Sequence, residues 1–245
     1  MNCCYLYTPE HDNAYKNLLF MSLDTLIHFY KNNIENIYII INDITNNKTY
    51  NDIENKLNEL TANNNIKTIL KLVDLNITNI IKYPENNMNK DRINRIGLVK
   101  FFIPDLVDVD SILYIDCDIL FKDNIYDELV YGFNDNILLK MYHEGFNSGL
   151  IFFNCKKWRE NKELLFNEII DFYKKNENIN FVDNECFRWL VQDNFNNICF
   201  NDNNKKINVP TYINEWENQN VIHIWGELYD KILNMNKMYK YIMKP

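Results

Sequence analysis

The sequence lacks three features: an excess of positive charge, paired cysteines and long hydrophobic runs. Its 245 residues carry a net charge of −8 without a basic stripe, which argues against nucleic-acid binding through phosphate neutralisation. The six cysteines form neither a Cys-x-x-Cys pair nor the spacing of a zinc site. Because several of them lie inside apolar runs, we predict free thiols and a reducing compartment.

Signals of membrane insertion and secretion are also lacking. No run of 18 apolar residues is present, so no transmembrane segment is expected. The N-terminal stretch MNCCYLYTPEHDN has no basic region and too short an apolar run for a signal peptide. The sequence therefore predicts a soluble, cytoplasmic protein.

What is present is an alternation of strand-like and helical segments in a chain of ordinary globular composition, 47% hydrophobic and 24% charged. The predicted strands cover residues 3–8, 34–42, 66–75, 111–116, 135–143, 146–155 and 220–226. The predicted helices cover residues 13–31, 49–64, 93–107, 156–176, 182–193 and the tail 228–245. This order is typical of an α/β fold with a doubly wound, mostly parallel sheet.

Two helical predictions carry a further expectation. Pro104 is expected to end or bend the helix over residues 93–107. The moderately basic, aromatic tail is predicted to pack on the domain, with weak attachment to a membrane surface as the alternative.

One stretch, SILYIDCDIL at residues 111–120, places two carboxylates at the end of a strand that otherwise has the composition of a buried one. Ligands of open α/β sheets bind at the carboxyl ends of strands. Asp116 and Asp118 are two residues apart, so in an extended segment both side chains point the same way. Like charges this close repel unless a cation joins them, and carboxylates suit Mg²⁺ or Mn²⁺. The pair therefore predicts a metal that holds a diphosphate, with a solvated strand end or an Asx turn as the alternative.

The same strand–Asp-x-Asp pattern occurs in phosphatases of the haloacid-dehalogenase type, where the first Asp is the nucleophile. In those enzymes the motif normally continues with Thr or Val two residues after the second Asp, and it opens the chain. Here the residue at that position is Leu120 and the motif lies in the middle of the chain, so this alternative fits less well.

Five stretches, in order, resemble glycosyltransferase family 8, the group that includes glycogenin and bacterial lipooligosaccharide galactosyltransferases. They are YLYTPEHDNAYKNLLFMSLDTL, LVKFFIPDLVDVDSILYIDCDILFKDNIYDEL, FNSGLIFFNCKKW, FVDNECFRWL and VIHIWG. The resemblance implies a single GT-A domain over residues 1–245. In it, residues 1–120 form the nucleotide-binding half, 121–227 the sugar and acceptor half, and 228–245 a helical tail.

The resemblance also implies an activity. Members of this family transfer a sugar from a UDP-sugar with retention of anomeric configuration, so we expect a metal-dependent hexosyltransferase. The donor is expected to be a UDP-hexose, with glucose as the best guess, and the acceptor a glycan or a protein. Homodimers are common in the family, but nothing in the sequence shows an interface.

Three residues are implied to bind Mn²⁺, with Mg²⁺ as the alternative: Asp116, Asp118 and His223. On the sequence alone His223, between apolar neighbours, is more often a core histidine. Gly226 three residues later matches the late His-x-x-Gly segment of the family, and together with the acid pair it reverses that interpretation.

The remaining site residues follow from the same resemblance. Thr8 and Tyr15 match uridine-binding positions, Lys100 matches a basic residue that contacts the diphosphate or sugar, and Cys117 faces the ribose through its backbone. Donor-sugar hydroxyls are expected to contact Asn147, Ser148 and Asp183. Asn184 stands where the family has Gln, which puts the role of that residue near the anomeric carbon in doubt.

One departure concerns the segment after Gly226. The family continues with Lys-Pro-Trp, whose Lys reaches the diphosphate, whereas this chain has Tyr229 at the Lys position and Lys231 two residues later. Either Lys231 substitutes, or diphosphate binding depends more on the metal and Lys100. We therefore expect UDP to bind more weakly without Mn²⁺ than it does in a typical member of the family.

Two other functions remain open from the sequence. One is hydrolysis, by a UDP-sugar hydrolase or by a phosphatase that uses Asp116 as nucleophile. The other is an inactive nucleotide-sugar-binding module, which the missing Lys-Pro-Trp makes conceivable. No carboxylate is well placed as a nucleophile, so for a transferase we favour attack of the acceptor on the face that the leaving phosphate vacates.

Overall fold

A computed structural model describes residues 1–7, 12–42, 47–62, 64–81, 96–142, 147–176, 182–194, 199–202, 207, 209–210, 216–224 and 228–244. The strands are β1 Asn2–Tyr7, β2 Asn36–Asn42, β3 Lys67–Val73, β4 Ser111–Ile115, β5 Ile119–Phe121, β6 Leu139–Tyr142, β7 Leu150–Asn154, β8 Cys199–Asp202, β9 Val209–Pro210 and β10 Val221–His223. The α-helices are α1 Asp12–Tyr30, α2 Asn47–Thr61, α3 Ile103–Leu106, α4 Tyr126–Val130, α5 Cys155–Glu160, α6 Lys162–Lys175, α7 Val182–Trp189 and α8 Leu228–Ile242.

The central sheet has the strand order β3-β2-β1-β4-β7-β6-β8. Strands β3, β2, β1 and β4 run parallel to one another, β7 is antiparallel to both β4 and β6, and β8 is parallel to β6. A smaller sheet, β5-β10-β9, lies beside it. The predicted α/β fold with a mostly parallel sheet is therefore confirmed.

Apolar side chains on both faces of the central strands explain why this sheet is covered on both sides. Along β1, Cys3 and Tyr5 belong to one buried cluster, whereas Cys4 and Leu6 belong to another. This alternation is the two-residue period of a strand. The first cluster includes side chains of α1 and α8, and the second includes side chains of α6 and α7.

The helix predicted over residues 93–107 differs from the structure. Residues 96–99 are helical, Lys100–Phe102 form a 3₁₀ turn, and α3 then begins at Ile103 with Pro104 in its first turn. A first-turn proline is tolerated because its missing N–H has no partner in the helix in any case. Pro104 therefore does not end the helix, since it lies at the start of a helical turn, and the alternative that it bends the helix stays a prediction.

Two other predicted helices are divided. The segment predicted as one helix over residues 156–176 consists of α5 and α6, which meet at Asn161. The segment over residues 182–193 begins as α7 and ends in a π-helical turn over Leu190–Asn194.

The C-terminal helix α8 packs on the domain, as predicted. Met235 and Met238 are buried in the same cluster as residues of α1. The hydroxyl of Tyr239 donates a hydrogen bond to Asp24 of α1 at 2.8 Å, and the ring of Tyr241 meets that of Trp216 edge to face at 5.0 Å. Among the described residues, no helix combines the length and the apolar character needed to cross a membrane.

Candidate functional site

Several of the predicted site residues line a cavity of about 210 Å³ at the carboxyl ends of β1 and β4. Its walls include Tyr15, Lys100, Asp116, Asp118, Asp183 and Lys231. The parallel pairing of β1 with β4 places both strand ends at one edge of the sheet, where ligands of open α/β sheets bind.

The acid pair lies in a tight turn between β4 and β5. The N–H of Ile119 donates to the carbonyl of Asp116 at 3.3 Å, and the segment between Ile115 and Ile119 is not extended. The premise of an extended segment is therefore wrong, although one oxygen of each carboxylate still lies within 4.8 Å of the His223 imidazole, as expected for a shared ligand. The backbone fixes them instead, because Asp116 N–H donates to Gly149 C=O at 2.8 Å and Asp118 C=O accepts from Ile224 N–H at 3.0 Å.

Strand pairing brings the third predicted metal ligand to the same place. Strand β10 pairs antiparallel with β5, and His223 stands opposite Ile119, directly after the turn. The imidazole Nε2 of His223 lies 3.1 Å from Oδ1 of Asp118 and 3.9 Å from Oδ2 of Asp116. One donor atom from each of the three residues lies within 4.8 Å of the others.

These separations fit a divalent ion. With metal–ligand bonds of about 2.1 Å, adjacent ligands of an octahedral ion lie about 3 Å apart and opposite ligands about 4.2 Å apart. The distance from His223 to Asp118 matches adjacent ligands, and the distance to Asp116 falls between the two values. Two carboxylate oxygens and one imidazole nitrogen form a donor set that suits Mn²⁺ or Mg²⁺.

Lys231, on the first turn of α8, forms an ion pair with Oδ2 of Asp118. Burial on its own raises the pKa of the Asp118 carboxyl, but the charges of Lys231 and His223 outweigh it, and the pKa lies well below its ordinary value. Burial lowers the pKa of Lys231, but Asp118 outweighs that effect and raises it above its ordinary value. Both groups are therefore charged at neutral pH.

Lys100 links the acid pair to the opposite wall of the cavity. Its ammonium lies 3.2 Å from Oδ1 of Asp116, 2.7 Å from Oδ2 of Asp183, and 3.0 Å and 3.3 Å from Oγ and the carbonyl of Ser148. An ammonium has three N–H donors, so four protein acceptors occupy it fully. Burial lowers the pKa of Lys100, but the two carboxylates outweigh burial and raise it above its ordinary value.

The predicted sugar-binding residues form a hydrogen-bonded set around Ser148. The Ser148 hydroxyl donates to Oδ2 of Asp183 at 2.7 Å, and its N–H donates to Oδ1 of Asn184 at 2.7 Å. Oδ1 of Asn147 accepts from Gly149 N–H at 2.7 Å. Asp183 and Asn184 lie in the first turn of α7, as the sequence predicts.

The other predicted residues are placed as follows. Tyr15 lines the cavity, and the buried thiol of Cys117 points away from solvent and donates to Leu6 C=O at 3.5 Å. Thr8, Gly226 and the side chain of Tyr229 lie outside the described residues.

Sequence reasoning missed Tyr114. Its buried hydroxyl donates a hydrogen bond to Oδ1 of Asp116, and its ring lies 5.0 Å from the Lys100 ammonium. The sequence offered only a weak signal, the position of Tyr114 two residues before Asp116, because the contact depends on the turn that follows β4.

Comparisons with known proteins show which sequences and folds this chain resembles. No family model matches the chain. The chain is 29% identical over 112 residues to glycosyltransferase GlyE and 26% identical over 129 residues to glycosyltransferase GlyD, both of Streptococcus pneumoniae serotype 4. The two matches cover 43% and 47% of this chain but only 27% and 16% of the relatives, so the chain corresponds to a fraction of their length.

Three solved structures have a similar fold. Mouse xyloside xylosyltransferase 1 has a TM-score of 0.67 at 12% identity, covering 91% of this chain and 97% of that one. Galactosyltransferase LgtC, in complex with donor and acceptor sugar analogues, has a TM-score of 0.66 at 13% identity, covering 100% and 97%. The crystal structure of GlyE has a TM-score of 0.61 at 15% identity, covering 100% and 64%.

The chain has a GT-A-like fold. The resemblance that the sequence motifs predicted is thereby confirmed, in sequence by the two curated glycosyltransferases and in architecture by the solved ones.

Proposed function

We propose that the protein is a metal-dependent, retaining glycosyltransferase that moves a hexose, with glucose as the first candidate, from a UDP-sugar to a glycan or protein acceptor. The observation that carries this proposal is the clustering of Asp116, Asp118 and His223, of which the two acids line, together with Lys231, a cavity at the strand ends of a GT-A-like sheet. Sequence similarity to two curated glycosyltransferases supports it.

The three clustered residues would hold Mn²⁺, or Mg²⁺ in its place. A bound divalent ion neutralises the charge that develops on a departing diphosphate, without a proton being needed. Lys231 would act beside it. Its ammonium has three donors, so it can bind a phosphate oxygen while it keeps its contact to Asp118, and it would thus replace the lysine that is missing at position 229.

The two ends of the donor would lie on opposite walls of the cavity. Tyr15 would offer an aromatic face for uracil, and the backbone of Cys117 would face the ribose. On the other side, Asp183 lines the cavity, and with Asn147 and Ser148 behind it this residue would bind the sugar hydroxyls. Lys100 fixes Ser148 and Asp183 relative to Asp116, so its main role would be to position the residues of the sugar wall.

We favour front-face transfer because Asp183 is a poor nucleophile. Oδ2 of Asp183 already accepts from Lys100 and Ser148, each at 2.7 Å. The acceptor hydroxyl oxygen would bond to the anomeric carbon on the face from which UDP departs. The electron pair of the broken C–O bond leaves with the β-phosphate, which takes the hydroxyl proton. Mass spectrometry that finds a hexose covalently bound to Asp183 would contradict this mechanism.

The test is release of UDP from a panel of UDP-sugars with Mn²⁺ or with a chelator, each with and without candidate glycan acceptors. A transferase releases UDP faster with its acceptor and forms a glycoside product. Asp118→Asn, which keeps the size of the side chain, should abolish release, whereas Asp171→Asn on the exposed surface of α6 should not. UDP release independent of any acceptor would identify a hydrolase. Binding without release would identify an inactive binding module, and release of phosphate from phosphomonoesters a phosphatase.

A further inference from the structure

Each of the two acidic metal ligands has one carboxylate oxygen held by a donor from the protein and the other oxygen facing His223. In Asp118, Oδ2 contacts the protein donor, whereas Oδ1 lies 3.1 Å from Nε2 of His223. In Asp116, Oδ1 accepts the hydrogen bond from the protein donor, whereas Oδ2 lies 3.9 Å from the same Nε2. The two acids therefore present a single oxygen each to the point where an ion would lie.

Lys231 is the donor that holds Asp118. Both partners are largely buried, with side-chain exposures of 17% for Lys231 and 8% for Asp118, so bulk water does not replace the contact readily. Lys231 belongs to α8, whose buried Met235 and Met238 fix the helix on the domain. The position of this ammonium is thus set by the packing of the C-terminal helix.

Tyr114 is the donor that holds Asp116, with help from Lys100. The Tyr114 hydroxyl donates to Oδ1 of Asp116, and the Lys100 ammonium lies 3.2 Å from the same atom. Tyr114 is buried in β4, so its ring cannot swing away without disturbing the core.

A carboxylate with one oxygen occupied can give only the other to a metal. Mg²⁺, and Mn²⁺ in the same kind of site, accept six ligands in near-octahedral geometry, and each carboxylate needs to give one oxygen only. Ca²⁺ is larger, takes six to eight oxygens at about 2.3–2.6 Å, and often binds carboxylates through both oxygens. On the basis of the proposed metal site, we propose that Lys231 and Tyr114 are positioning residues. Each occupies one carboxylate oxygen, of Asp118 and Asp116 respectively, so that each acid binds the ion through its other oxygen only. The site would therefore select Mn²⁺ and Mg²⁺ over Ca²⁺.

The test measures metal selectivity in the free protein, without donor or acceptor. Binding of Mn²⁺ is followed by loss of the free-ion EPR signal, and Ca²⁺ is added to displace it, which yields the ratio of the two dissociation constants. Partners that hold metal ligands typically change metal affinity by about 10- to 100-fold when they are mutated. We expect Lys231→Met to reduce the preference for Mn²⁺ over Ca²⁺ by about tenfold. Tyr114→Phe should reduce it less, because Lys100 still holds Asp116, and the double variant should reduce it most.

Matched controls separate selectivity from stability. Lys56→Met removes a lysine of similar exposure that pairs with Asp24 at 3.2 Å away from the cavity. Tyr30→Phe removes a buried hydroxyl that donates to Asp123 C=O at 3.0 Å. Both controls should leave the selectivity ratio unchanged. Lys231→Arg keeps a cation beside Asp118, so its preference for Mn²⁺ should be close to that of the wild type and higher than that of Lys231→Met.

An unchanged ratio in Lys231→Met and in the double variant overturns the proposal, and so does a wild-type protein that binds no Mn²⁺. The UDP-release assay tests the proposed activity independently. Metal-stimulated transfer with an unaltered ratio in the variants would refute only the positioning role, whereas selective Mn²⁺ binding without transfer would refute only the proposed activity.

Discussion

The ring of His223 lies directly against the Cα atom of Gly149. A Cβ built on Gly149 would lie 2.5 Å from Cε1 and 2.8 Å from Nδ1 of that imidazole, and 2.8 Å from Oδ1 of Asn147. Any side chain at position 149 therefore displaces the ring. Because Nε2 of the same ring faces Asp116 and Asp118, the glycine makes room for the proposed metal site.

Gly149→Ala is expected to weaken Mn²⁺ binding by about 10- to 100-fold, the range seen when a residue that orients a metal ligand is changed. Titration of Mn²⁺ by EPR measures the loss. Gly132→Ala is the control, because Gly132 has a φ of 73° with nothing within 4 Å of an added Cβ. That variant should lose about 1–2 kcal/mol of stability through backbone strain and keep its metal affinity. Wild-type Mn²⁺ binding in Gly149→Ala would show that His223 is not a ligand.

The sequence predicts the fold because its signals are local. Each strand of the parallel half is a short apolar run, and each helix of that half has its own period, so the order of elements implies the sheet. The acid pair is equally local, at the end of β4. Lys100, His223 and Lys231 were assigned only by resemblance, because their arrival at one cavity depends on strand pairing and helix docking.

The hydrogen bonds within the site could not be predicted in the same way. Tyr114 has the composition of an ordinary core residue in an apolar run, and its contact to Asp116 depends on the turn that follows β4. The contacts of the Lys100 ammonium with Asp183 and Ser148 depend on how α7 and β7 pack, and no local sequence pattern predicts that packing. The break at Asn161 and the 3₁₀ turn at Lys100–Phe102 were also missed, because periodicity in an apolar helix does not reveal where hydrogen bonding changes.

Asp183 is expected to make stability depend on pH in the acid range. Burial raises the pKa of its carboxyl, but Lys100 and Ser148 outweigh burial, and the pKa lies below its ordinary value of about 3.9. A depressed folded-state pKa gives stability that is present above the unfolded pKa and is lost as pH falls through the folded one. The raised pKa of Lys100 keeps its charge throughout this range.

Asp183→Asn should therefore unfold at a lower temperature at pH 7 and lose less stability between pH 5 and pH 3 than the wild type. Thermal unfolding in chelator across this range measures both effects. Asp171→Asn removes a carboxylate that is paired with Lys174 at 3.0 Å on the surface, and exposed pairs contribute little. Parallel pH curves for Asp183→Asn and the wild type would contradict the expectation.

Binding of UDP should depend strongly on the metal. Lys100 is occupied by four protein acceptors, which leaves the metal and Lys231 to neutralise the diphosphate. We expect UDP affinity in Mn²⁺ to exceed that in chelator by about tenfold or more, a difference of about 1.4 kcal/mol. Calorimetric titration measures it, with uridine as the control, since a ligand without phosphates should bind equally in both conditions. Equal affinity for UDP in chelator and in Mn²⁺ would refute this expectation.

The C-terminal helix α8 should stabilise the whole domain, because it is docked by buried side chains and carries Lys231 into the cavity. Met235 is fully buried in the cluster that also contains side chains of α1, so Met235→Ala should cost about 2–5 kcal/mol. Each kcal/mol lowers the midpoint of thermal unfolding by about 2–4 °C in a chain of this size. Leu233 lies on the same helix but is 59% exposed, so Leu233→Ala should change stability by less than about 0.5 kcal/mol. If the two variants unfolded at the same temperature, α8 would be a surface appendage and Lys231 would lack the fixed position that the metal site requires.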